Sequence, residues 1–380
     1  MILRLIALLY LTLLSAHIGI AQQNIDATLT HNNILRTYRL YIPASYNPAQ
    51  PPVPLIFNLH GYGSSNVQQE LYGNFKPIAD TANFILCHPN GTLDDTNTRF
   101  WNAGFGQTVD DIGFLNALAD TISAHYNINP RRIYSTGMSN GGFMSHTLAC
   151  ESTNRFAAIA SVTGSMTILQ KATCNPTRPI PVLQIHGTSD PTVPYNGTST
   201  FLPIETLVND WVARNQCNST PINTPIPDIN TTDGCTAETF NYNTCADNTQ
   251  VLFYKITNGA HTWPGSIITI GTTNKDFNAS AEIWNFFRQY QLPQSVLATH
   301  QIPTTPLATL SPNPVANQLT LQLSQPNTQI RLFDLQGRTL YTTHTQTPTQ
   351  LTIPTQSWQA GIYFVQVQTP TRTATYKIIK

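Results

Sequence analysis

The sequence predicts a doubly wound α/β fold on a mostly parallel sheet, followed by a small all-β sandwich. Three observations carry this. Strand-like and helix-like segments alternate from about residue 24 to 292. A Pro- and Thr-rich stretch without periodicity follows at 293–311, and beyond it only short alternating runs separated by turns remain. Charge balance changes at the same place: residues 22–300 carry 13 Lys+Arg against 18 Asp+Glu, whereas 301–380 carry 5 against 1. Strand–helix alternation implies a parallel sheet covered on both faces, and such sheets put reactive loops at the carboxyl ends of their strands. The expected organisation is a signal peptide at 1–21, the α/β domain at 22–292, a linker at 293–311 and the β-sandwich at 312–380.

Each element has a local signal. Pro54 to Leu59 is a continuous apolar run suited to a central strand. Val67 to Ala82 reads as one helix interrupted by Gly73 and Pro77, and Phe84 to Cys87 as the next strand. Asp111 to Tyr126 is the clearest helix, with Ile112, Leu115, Leu118, Ala119 and Ile122 at helical spacing. Arg132 to Thr136 is a strand and Asn140 to Ala149 a helix. Further strands are expected at Phe156–Val162, Pro181–Ile185 and Val251–Ile256, with helices near 203–215 and 280–290. The insertion at about 216–250 yields no conformation.

Composition bounds the function. Lys+Arg and Asp+Glu are both 19 in 380 residues, so no global field favours nucleic acid or an anionic membrane. Charged residues are only 10%, against an ordinary share of about a quarter. Arg4, the apolar run Leu5 to Leu14 and small residues ending at Gly19 and Ala21 read as a secretory signal peptide, with cleavage expected after Ala21. No other stretch is long and apolar enough to span a membrane. Export makes the six cysteines disulfide material. Cys150 follows the Asn140 helix and Cys174 precedes a strand, while Cys217 and Cys245 bracket the insertion. Among 15 possible pairings, Cys150–Cys174 and Cys217–Cys245 are expected. Cys87 reads as a buried thiol, and Cys235 is unassigned. No metal is expected, because neither Cys-x-x-Cys nor His-Glu-x-x-His occurs; no cofactor is expected either.

Gly137-Met138-Ser139-Asn140-Gly141 is a Gly-x-Ser-x-Gly string that leaves a strand and opens a helix. That setting is a nucleophile elbow, in which the turn is too tight for side chains two positions either side of the serine. A serine hydroxyl needs a base, and the base an orienting acid. Asp190 follows the strand ending at Ile185, and His261 follows the strand ending at Ile256. Ser139, Asp190 and His261 therefore stand in the chain order of an α/β-hydrolase triad. An oxyanion hole requires two backbone donors. The N–H of Asn140 is one, and Tyr62, in the loop from His60 to Ser65, is the expected second. His60 and His186 read as structural histidines that bond loop backbone.

The motifs LHGYGS (59–64), FWNAG (100–104), VDDIGFL (109–115), RRIYSTGMSNGG (131–142), IHGTSDPTVPY (185–195) and NGAHTWPG (258–265) resemble those of secreted polyhydroxybutyrate-depolymerase-like esterases. These are close to the feruloyl and acetylxylan esterases of carbohydrate esterase family one. The resemblance runs from about 34 to 292 and implies an α/β-hydrolase fold. It assigns Ser139, Asp190 and His261 to the triad, and Tyr62 and Asn140 to the oxyanion hole. It implies that Trp263 lines the acyl pocket, core packing being the other reading, and Trp101 is assigned to substrate binding with it. Asp110 and Asp111 match a pair read as helix-capping and loop-bracing. One departure stands out: some relatives carry cysteines beside both the acid and the histidine, where this chain has Ser189 and Ala260.

The tail strings LSPNPVANQLTLQL (310–323), IRLFDLQGRTLY (330–341), GIYFVQVQT (361–369) and TYKIIK (375–380) resemble the sorting module of the type IX secretion system. A carbohydrate-binding module is the rival reading, but Trp358 is the only tryptophan there. The sorting resemblance implies the secretion machinery as a partner, cleavage near residue 305, and a secreted or outer-surface protein. The expected activity is hydrolysis of carboxylic esters through an acyl-enzyme, on hydroxycinnamoyl or acetyl esters of plant polysaccharide. A polyester depolymerase is the alternative within that class, and a non-catalytic surface glycan-binding protein the alternative outside it.

Overall fold

The computed structural model describes residues 22–294 and 307–380, apart from 335–337, 348 and 370–372. The expected signal peptide and its cleavage after Ala21 lie outside the described residues, as do most of the linker and the expected cleavage near residue 305. The chain divides into two compact units, Met1–Leu297 and Ala298–Lys380.

The first unit begins with β1 (Gln23–His31), β2 (Ile34–Ile42), β3 (Val53–Leu59), α1 (Asn66–Tyr72), α2 (Lys76–Ala82) and β4 (Ile85–Pro89). A small hairpin, β5 (Thr92–Leu93) and β6 (Arg99–Phe100), leads to α3 (Asp111–His125), β7 (Ile128–Met138) and α4 (Asn140–Glu151). Then come β8 (Ala158–Val162), α5 (Ile168–Thr173), β9 (Val182–Gly187), α6 (Ile204–Arg214), β10 (Ile222–Pro225), β11 (Thr236–Tyr242), β12 (Val251–Thr257) and α7 (Ala279–Phe287). Ten strands form one sheet in the order β1-β2-β4-β3-β7-β8-β9-β12-β11-β10. The six from β4 to β12 are mutually parallel, and the two pairs at the edges run antiparallel.

Strand periodicity divides the core between the two faces. Leu55, Phe57 and Leu59 join the cluster under α3, α4 and α6, with Phe114, Leu118, Phe143 and Trp211. Ile56 joins the opposite cluster with Phe75, Ala79, Ile283 and Phe287 of the α2 and α7 side. Each such leucine, isoleucine or phenylalanine contributes about 1.5–3 kcal/mol by leaving water. Every residue of β3, β8 and β9 is buried, so these strands are mostly apolar on both faces, with Asn58, Ser161, Gln184 and His186 as the polar exceptions.

Two expectations need correcting. The single helix read over 67–82 is two, because Gly73 ends α1 and Pro77 sits in the first turn of α2, where a missing N–H costs nothing. The stretch read as linker contains β13 (Ala308–Ser311), which pairs with β14 (Gln318–Leu323) and buries Ala308. Its Pro/Thr-rich surroundings hid a four-residue strand. The second unit continues with β15 (Thr328–Asp334), β16 (Thr339–Thr345), β17 (Gln350–Pro354), β18 (Ile362–Gln368) and β19 (Thr373–Ile379). Its sheets, β13-β14-β17 and β16-β15-β18-β19, are antiparallel and enclose Leu319, Leu321, Ile330, Leu332, Val365 and Val367.

Disulfides join Cys150 to Cys174 and Cys217 to Cys245, as expected, and Cys87 and Cys235 are buried thiols. The first ties the end of α4 to the end of α5; the second closes the insertion holding β10 and β11. Their sequence separations of 24 and 28 residues give about 3.5 kcal/mol each through loss of unfolded-chain entropy. Reduction is expected to lower the urea midpoint accordingly, which unfolding curves with and without reductant will measure.

Candidate active site

Strand β7 delivers Ser139 to the carboxyl edge of the sheet and α4 starts at the next residue. The Ser139 backbone sits at φ 55°, ψ −121°, a strained conformation for a residue with a side chain. It is held there by its own N–H, which donates to Val162 O at 2.8 Å, and by its carbonyl, which accepts from Phe143 N at 2.9 Å. The flanking glycines are required by contact: a Cβ on Gly141 would lie 2.3 Å from Leu59 O, so strand and helix could not pack this closely with any other residue. The start of α4 also brings partial positive charge to the serine.

Asp190 leaves β9 and His261 leaves β12, adjacent parallel strands. His261 Nδ1 lies 2.7 Å from Asp190 Oδ2. That bond sets the tautomer with the proton on Nδ1, leaving Nε2 as an acceptor. Asp190 Oδ1 accepts from the N–H groups of Thr192 and Val193, both at 2.8 Å, so the fully buried carboxylate cannot rotate. The two loops are bound by main chain. Ser189 N donates to Gly259 O at 3.0 Å, and a Cβ on Gly187 would come within 2.2 Å of that same oxygen.

Ser139 and His261 border one cleft of about 500 Å³, with Tyr62, Leu71, Ile268 and Ile270 on its walls. A second cavity of about 310 Å³ also opens on Ser139, beside Asn140, Tyr62 and the rings of Phe105, Phe143 and Phe201. The loop carrying Tyr62 runs over the serine, since a Cβ on Gly61 would stand 3.3 Å from that of Ser139. Tyr62 Oη donates to Asp94 Oδ2 at 2.6 Å, which steadies the loop.

Residues 42–219 match the phospholipase/carboxylesterase family. Residues 309–380 match the secretion system C-terminal sorting domain. Feruloyl esterase C of Emericella nidulans is 32% identical over 198 residues, covering 50% of this chain and 66% of that protein. A putative esterase, NocK, of Nocardia uniformis is 32% identical over 46% of this chain and 52% of its own length. A bifunctional acetylxylan esterase/xylanase of Neocallimastix patriciarum is 26% identical over 44% of this chain and 23% of its own. The chain thus spans between about a quarter and two thirds of these relatives. Among solved structures, acetyl xylan esterase from Aspergillus awamori aligns with a TM-score of 0.46 at 16% identity, over 63% of this chain and 94% of that one.

Within the matched span both tryptophans are buried, and neither borders the two cavities that open on Ser139. Trp101 is 0% and Trp263 1% exposed. Trp101 is clamped by the Asn140 side chain, which accepts from its N–H at 2.6 Å and donates to its carbonyl at 3.0 Å, and its indole donates to His60 O. It braces the elbow from behind. Trp263 donates to Ser280 Oγ and packs edge-on to Phe75. Asp110 caps α3 through Gly113 N, and buried Asp111 joins Arg36 at 2.6 Å to Asn102 N at 2.7 Å, bracing the loop as expected. The aromatic cavity was missed because Phe105 and Phe201 lie in loops, where no periodicity marks a shared wall.

His60 and His186 have the structural roles read from sequence. His60 Nδ1 donates to Gly61 O and its Nε2 accepts from Gly91 N. His186 Nε2 donates to Val193 O at 2.9 Å and its Nδ1 accepts from Gln184. Burial pulls both, and His146, down to about 4, and His88 to about 3. Their folded values lie below the unfolded one, so stability is complete above about pH 6.5 and is lost as pH falls toward 4. By pH 5 the loss is expected to be about 1–2 kcal/mol per histidine. Thermal melts from pH 7.5 to 4.5 will read it as a falling midpoint.

Proposed function

We propose that this chain is a secreted serine ester hydrolase acting through an acyl-enzyme on hydroxycinnamoyl or acetyl esters of plant polysaccharide. The observation that carries the reading is the 2.7 Å bond from His261 to a rotationally fixed Asp190, on a cleft shared with a strained Ser139. His261 Nε2 takes the Ser139 hydroxyl proton as Oγ attacks the ester carbonyl. The N–H groups of Asn140 and Tyr62 hold the tetrahedral oxyanion, each worth about 10²–10³ in rate. The imidazolium, steadied by Asp190, returns its proton to the departing alkoxide. Water then attacks the acyl-enzyme with His261 again as base, and the acid leaves. The names of the feruloyl and acetylxylan esterase relatives support the substrate class. The sorting-domain match supports export through type IX machinery to the cell surface, which suits a polymer that cannot enter a cell.

Polyester cleavage is the second reading, favoured by one observation: Leu71, Ile267 and Ile270 beside the His261 loop are 53%, 82% and 58% exposed. Rates on methyl ferulate, acetylated xylan and polyhydroxybutyrate film separate the two. A fluorophosphonate probe tests the mechanism: its adduct belongs on Ser139, and a wild-type protein left unlabelled would end the proposal.

A further inference from the structure

The serine stands between two cavities of different chemistry, and attack geometry decides what each one holds. On the 310 Å³ side the rings of Phe105, Phe143 and Phe201 pack on one another with centroids 5.5, 5.1 and 6.1 Å apart. Asp94 and Gln107 give this chamber a polar edge. On the 500 Å³ side lie His261, Leu71, Ile268 and Ile270.

The tetrahedral carbon bears four groups: Ser139 Oγ, the oxyanion, the leaving oxygen and the acyl chain. The oxyanion must face the N–H of Asn140 and Tyr62. The leaving oxygen must receive its proton from His261 Nε2, so the alcohol lies on the His261 side. Only the phenylalanine chamber remains for the acyl chain. An apolar cavity of about 150 Å³ accommodates a benzene ring, so 310 Å³ accommodates a ring with a short linker and is mostly unused by an acetyl group. Stacked and edge-on ring contacts add about 0.5–1.5 kcal/mol beyond burial.

Resting on the serine mechanism above, we propose that the chamber of Phe105, Phe143 and Phe201 is the acyl site and takes a flat, hydroxylated aryl acyl group. The leaving alcohol lies on the opposite side, where Ser64, Gln68 and Gln69 stand beside Leu71, Ile268 and Ile270. Phe105 and Phe201 are then specificity-determining residues for the acid, and Ile268 for the alcohol.

The test uses the full chain and two pairs of esters. p-Nitrophenyl ferulate and p-nitrophenyl acetate share a leaving group; methyl and octyl ferulate share an acyl group. The ferulate-to-acetate ratio of kcat/KM is expected to fall about tenfold or more in Phe201→Ala and in Phe105→Ala. Ile268→Ser is expected to lower the octyl-to-methyl ratio by about threefold or more and leave the ferulate-to-acetate ratio within about twofold. Both phenylalanines are half-buried loop residues, so loss of one variant to misfolding leaves the other. A ferulate-to-acetate ratio unmoved in both variants, or moved by Ile268→Ser instead, overturns the assignment. p-Nitrophenyl acetate turnover that survives Ser139→Ala overturns the serine mechanism itself, and is recognised as that separate failure.

Discussion

Ser139→Ala is expected to lower kcat on p-nitrophenyl acetate by about 10⁴- to 10⁶-fold while the melting temperature stays within a few degrees of wild type. In the proposed mechanism the loss is large because the hydroxyl oxygen is the atom that bonds to carbon, and no neighbouring group can substitute for it. The fold is spared because alanine keeps the Cβ, and the bonds that hold the elbow, to Val162 O and from Phe143 N, are main-chain. The backbone strain at φ 55°, about 1–3 kcal/mol, is common to both side chains. Residual activity would come from the oxyanion donors acting on water. Turnover within tenfold of wild type, with hydrolysis tracked at 405 nm, would remove Ser139 from the mechanism.

Asp190→Asn is expected to cost about 10⁴-fold in kcat at neutral pH. The hydrogen bonds explain why an isosteric change is so severe. Thr192 N and Val193 N both donate to Oδ1, so the asparagine must keep its carbonyl oxygen there. Its amide then faces His261 Nδ1 and donates where the carboxylate accepted. The imidazole proton moves to Nε2, and the base no longer has a free lone pair toward Ser139. Raising the pH does not correct a tautomer, so the kcat–pH profile is expected to be depressed throughout. Recovery of activity in Asp190→Glu above that of Asp190→Asn would fit this account; equal rates for wild type and Asp190→Asn would refute it.

The parallel core was legible because its strands are buried on both faces and read as apolar blocks, and because Asp111 to His125 has a helical stripe. The elements that escaped are those without such a signature. β1 is a half-exposed edge strand with β2 beside it, and β10 has four exposed residues in a turn-rich insertion. The placement of Ser139, Asp190 and His261 at one edge was legible for a different reason: Ser139 follows β7 at once, Asp190 and His261 lie in the loops just after β9 and β12, and the sheet itself converts chain order into proximity. Side-chain placement was less legible. Trp101 and Trp263 are near the site in sequence, but indole direction depends on long-range partners, Asn140 and His60 for one and Ser280 for the other. No local pattern encodes those.

The union of Gly187 with the Gly259 carbonyl has a consequence for where the protein can work. The loops of Asp190 and His261 are aligned by peptide groups, and both sulfur bridges lie elsewhere, on α4–α5 and on the insertion. Thiol reductants would therefore loosen the scaffold without pulling His261 away from Asp190. Durability and competence answer to different chemical agents in this molecule.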